Sequence, residues 1–71
     1  MVSWEHAERR VAAADRHDRA AERYEASAAR WIQRGDSEIA ELEMRHADHE
    51  RAAAKLERDH AALIRRRLDQ R

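Results

Sequence analysis

A small apolar residue returns every seventh position along this chain, at Ala7, Ala14, Ala21 and Ala28, and then at Ala40, Ala47, Ala54 and Ala61. A period of seven keeps one stripe of a helix against a second helix. The two ladders match when the chain folds back near residue 34. Ala28 then faces Ala40, Ala21 faces Ala47, Ala14 faces Ala54, and Ala7 faces Ala61. The pattern predicts an all-α fold, an antiparallel two-helix hairpin of the alanine-seam coiled-coil type. Helix 1 is expected over about 4–33, a turn at 34–36, and helix 2 over about 37–70, in a single domain covering 1–71.

Local signals agree with these bounds. Ser3 suits an N-cap, with Val2 and Ala7 as a small hydrophobic staple. No Pro or Gly interrupts Trp4 to Gln33, a span of about 45 Å as a helix. Gly35 suits the left-handed position past a helix end. Asp36 or Ser37 can cap the second helix, where Glu38, Glu41 and Glu43 complement the positive end of the macrodipole. Arg65, Arg66, Arg67 and Arg71 close that helix with the opposite, favourable sign.

The flanks of the alanine seam select the same register. Arg10 falls opposite Glu57, His17 opposite Glu50 and Tyr24 opposite Glu43, while Asp18 falls opposite Arg51 on the other side. Exposed pairs of this kind contribute about 0–1 kcal/mol each, so they choose the register more than they hold the fold.

Alanine buries little area, and the second helix carries a further stripe that the seam leaves uncovered: Ile39, Leu42, His46, His49, Ala53, Leu56, His60 and Leu63, with Tyr24 and Trp31 of helix 1 near the same side. A hairpin of this size with large apolar residues outside is marginal by itself. The stripe is close to self-complementary when run antiparallel about residue 53, with Ala53 near its own copy and Leu42 near Leu63 or Ile64. A homodimer forming a four-helix bundle is therefore expected. Trp31 is read as closing the turn end with Ile32 and Ile39; its Trp-x-x-x-Gly spacing to Gly35 differs from that of the secreted Trp-x-Gly hairpins.

Composition narrows the function classes. The chain has 71 residues, 42% of them charged, with fifteen acidic and fifteen basic side chains and a formal net charge of zero. Balanced, periodic charge argues against disorder, and zero net charge argues against a dedicated nucleic-acid or membrane binder. No apolar run approaches the roughly 20 residues that span a bilayer, and no signal peptide is expected, so the location is read as cytoplasmic. The absence of Cys removes disulfide and thiolate chemistry, and Arg outnumbers Lys fourteen to one, as in a GC-rich genome. No enzyme is expected, because there is no Gly-rich phosphate loop and no nucleophile with a base among Ser3, Ser27, Ser37 and Tyr24.

Two sharper chemistries stand beside these plain ones. Five histidines are present, and Glu43-x-x-His46 and Glu57-x-x-His60 match the Glu-x-x-His spacing of di-iron bundles. His46, His49, His60, Glu43 and Glu57 are thus a candidate Zn2+ or di-iron-like set, formed at the dimer interface; the alternative is that these are polar interface side chains binding no cofactor. An ordinary imidazole titrates near pH 6.5, so acid would charge an interface built from such histidines and weaken it.

The second chemistry is the line Arg9, Arg16, Arg23 and Arg30, repeating about every 10.5 Å on one face of helix 1. Glu8, Asp15 and Glu22 lie beside it, and Glu5–Arg9 and Asp15–Arg19 have i,i+4 spacing, which suggests a self-neutralising solvent face. The layout and alanine seam resemble the plasmid repressor-of-primer hairpins. That resemblance implies a two-helix subunit that dimerises and binds paired RNA loops; it carries over no binding residues. The sequence thus reads as a homo-oligomeric protein–protein interaction or assembly module, of the kind found among phage or plasmid accessory proteins. It acts on itself and on an unidentified protein partner, with metal-binding and RNA-binding bundles as the alternatives.

Overall fold

A computed structural model describes residues 2–70, which form two helices, α1 (Trp4–Gln33) and α2 (Ser37–Asp69), packed against each other as a hairpin. Arg71, expected to help close α2, lies outside the described residues. The caps explain the bounds. Ser3 is extended, and its hydroxyl oxygen accepts from the His6 N–H at 3.1 Å. Asp36 caps α2 by accepting from the Ile39 N–H at 3.1 Å.

The reversal is a Schellman turn. The Gly35 N–H donates to the Ile32 carbonyl at 3.0 Å, and the Asp36 N–H to the Trp31 carbonyl at 2.9 Å. Gly35 sits at φ 83°, where a side chain is strained, although a Cβ there would meet nothing within 4 Å.

All eight ladder alanines are buried, at 0–3% exposure, and Ile64 is the only larger buried residue among those described. The sequence pattern placed Ile64 in an interface between copies; it is instead buried within the hairpin. It packs with Ala7 and Ala61, and Val2, Val11 and Leu68 cover that cluster at the open end. Val2 thus meets the ladder through the expected staple position. At the turn end Ile32 is 63% exposed, and the half-buried Trp31 ring lies under the Arg34 guanidinium, 5.1 Å from its carbon.

The molecule measures 56 × 14 × 13 Å, with a radius of gyration of 16.2 Å. A compact chain of this length would have about 11 Å. Its accessible surface is 5336 Å², against roughly 4600 Å² for a globular monomer of this mass. The hairpin therefore holds two helices together without enclosing a core of large side chains.

Candidate functional site

Two edges of the hairpin and one uncovered stripe carry its chemistry. On the first edge the acids come from α2. Glu57 accepts from Arg10 at 3.4 Å, Glu50 from His17 Nδ1 at 2.7 Å, and Glu43 from the Ser27 hydroxyl at 3.2 Å. The expected Tyr24–Glu43 pair is corrected here. Tyr24 lines the same shallow groove as Glu43, but its ring stacks on His46 at 4.9 Å and 15°, and the shorter Ser27 supplies the hydroxyl.

On the second edge the polarity is reversed, with acids on α1 and cations on α2. Arg51 bridges Asp18 at 3.3 Å and Glu25 at 2.8 Å, and Arg58 bridges Asp15 at 3.1 Å and Asp18 at 2.6 Å. The hydrogen bond from Arg58 holds the Asp18 carboxyl below its ordinary range, with Arg51 adding to the effect. Arg58 was not anticipated from the sequence. Its spacing of seven from Arg51, matching that of Asp18 and Glu25, was the available signal.

The arginine line of α1 differs from what its neighbours suggested. Arg9, Arg16, Arg23 and Arg30 are exposed, and none makes an ion pair within 4.0 Å among the described residues. Asp15 turns across the hairpin to Arg58 rather than along α1 to Arg19. Arg9 and Arg16, with His6, Arg10 and Glu57, line a second open groove of about 390 Å³. Partial cover there, together with Arg10 and Arg9, lowers the affinity of His6 for a proton, since the neutral ring is preferred beside two cations.

The stripe on α2 remains outside the hairpin. Leu42 is 55% exposed, Leu56 67% and Leu63 40%. His46 and His49 are exposed, and Ile39, Ala53 and His60 are half-buried. Tyr24, stacked on His46 of this stripe, and Trp31 are half-buried.

The candidate metal set is dispersed within one chain. Glu43 and Glu57 are engaged by Ser27 and Arg10, His46 by Tyr24, and His60 stands edge-on to His6 at 5.6 Å. Among the described residues no three His, Cys, Asp or Glu side chains converge in metal-binding geometry. No helix is long and apolar enough to cross a membrane among these residues.

No protein-family model, curated protein or solved structure matches the chain.

Proposed function

We propose that the protein is a non-enzymatic assembly module that associates with its own copies through the leucine/histidine stripe of α2, forming a four-helix assembly. The observation that carries this reading is the exposure of Leu42, Leu56 and Leu63 along one line of a helix whose opposite side is packed against α1. A line of exposed leucines on a charged helix, interrupted by His49, is unfavourable in water and marks an interaction surface. Size supports it too. The chain exposes roughly 700 Å² more than a compact monomer of its mass, close to the roughly 800 Å² each partner contributes to a standard interface.

Sedimentation velocity over a concentration series tests the proposal. A mass of two chains or a higher closed number at micromolar concentration is expected. A single-chain mass up to the highest soluble concentration overturns it.

A second reading has its own observation. The line Arg9, Arg16, Arg23 and Arg30 makes no ion pair among the described residues, although Arg51 and Arg58 are each shared by two carboxylates. Such a line would offer an anionic polymer its positive face, and the contact would weaken steeply with salt. A gel shift against structured RNA at low salt separates the two readings. A band that shifts at low salt and is lost on substituting Arg16 and Arg23 by Gln supports the RNA reading.

A further inference from the structure

We infer that a second copy of this chain docks on α2 with its own α2 antiparallel, in one register selected by charge. This rests on the assembly reading above and adds its geometry. The stripe lies roughly 130° round α2 from the alanine ladder at about 100° per residue, so α2 and its copy form the central pair and the two α1 helices lie outside it.

The outer edge of the stripe is the column Glu38, Arg45, Ala52, Asp59, Arg66, repeating every seven residues. All five are exposed, and none contacts α1 by hydrogen bond or ion pair. Run against itself antiparallel about Ala52, this column is fully complementary. Glu38 meets the partner's Arg66, and Arg45 meets the partner's Asp59, each contact occurring twice by symmetry. Among the described residues Arg45 and Asp59 hold only the local i,i+4 pairs Arg45–Glu41 and Lys55–Asp59, which leave them 65% and 62% exposed. Opposite-charge edges of this kind set partner and orientation in helical pairs.

The same register sorts the stripe. Ile39 packs at the level of the partner's Leu63, Leu42 at that of the partner's His60, and His46 at that of the partner's Leu56. Each imidazole lies against an apolar group. A parallel pairing would set His46, His49 and His60 against their own copies. Sliding the antiparallel pair by one heptad in one direction places Arg45 by the partner's Arg66; in the other it places Glu38 by the partner's Asp59. Both slides oppose like charges, so a single register survives. The inner edge carries Glu43, Glu50 and Glu57 from both copies, and these acids already have partners on α1 in Ser27, His17 and Arg10.

Charge exchange between Arg45 and Asp59 tests the register. Arg45→Asp and Asp59→Arg, each made alone, should raise the dimer dissociation constant roughly tenfold or more, because two like-charge contacts replace two favourable ones. Far-UV circular dichroism checks that both variants keep their helices. Mixed one to one, the two variants should form heterodimers with wild-type affinity, and the double variant should recover homodimers. The double variant also serves if either single variant fails to fold. If the wild type is dimeric but both variants dimerise unchanged and show no preference for each other, the register is wrong and the assembly reading stands. If the wild type is monomeric, both fail.

Discussion

The two sides of α2 follow opposite rules. The side facing α1 carries Ala40, Ala47, Ala54 and Ala61, at most 3% exposed, and the other carries Leu42, Leu56 and Leu63, at least 40% exposed. Size explains the inversion. Small residues let two backbones approach closely and leave little apolar area to bury, so the inner side defines alignment and contributes modest stability. The large residues would force two helices apart if they faced α1. Placed outside, they hold stabilisation that one chain cannot realise.

The comparison is broken most severely from outside. Leu56→Asp should abolish association, because each of two copies loses the roughly 1.5–3 kcal/mol of a buried leucine and gains a charge. Sedimentation velocity should show single chains, and unchanged association would place the contact elsewhere. Next in size is a change from inside. Ala14→Leu overpacks the alanine side and should lower stability by about 1–3 kcal/mol, read as a lower thermal midpoint at matched concentration. If it instead raised the midpoint, the close approach of the helices would not be what alanine provides.

Gly35→Ala should cost about 1–2 kcal/mol from backbone strain alone, since a Cβ at Gly35 meets nothing within 4 Å. Urea denaturation measures it. An unchanged midpoint would mean the turn relaxes out of its left-handed geometry.

The smallest effect concerns the charged edges. Asp18 has its folded-state pKa depressed by Arg58 and Arg51, so its contribution is present above the ordinary carboxylate value and lost as pH falls through the lower one. Asp18→Asn should lower the thermal midpoint slightly at pH 7 and leave it unchanged near pH 2. His6 also has a depressed value, so the unfolded chain takes up its proton first and stability declines as pH falls below about 6.5. His6→Ala should flatten part of the decline between pH 7 and pH 5 in thermal melts.

Much of the hairpin was readable because heptad spacing translates directly into one helical face. Arg10–Glu57, His17–Glu50 and Asp18–Arg51 form as the register required. The errors lie where several side chains compete for one partner. Glu43 takes the Ser27 hydroxyl and leaves Tyr24 to stack on His46, and Asp15 crosses to Arg58 instead of pairing along α1. Spacing along one helix does not rank such choices, because they depend on side-chain length and on which groups the neighbouring helix brings within reach. Ile64 shows the same limit. The pattern placed it between copies although it continues the column Glu43, Glu50, Glu57 by one heptad, and its burial comes with Val2, Val11 and Leu68 packing over the open end.

The chain's own pattern determined two long helices, the reversal at Gly35, the face of each helix that turns inward and the α2 stripe that stays outside. These follow from local propensity, capping and period, which act within a few residues. Only the tertiary structure decided the partners. It gave Arg51 and Arg58 two carboxylates each, left Arg9, Arg16, Arg23 and Arg30 without ion pairs among the described residues, and drew Ile64 into a small cluster at the open end. Those outcomes depend on distances of a few ångströms between residues far apart in the chain, which a repeat of seven sets only to the nearest helical turn.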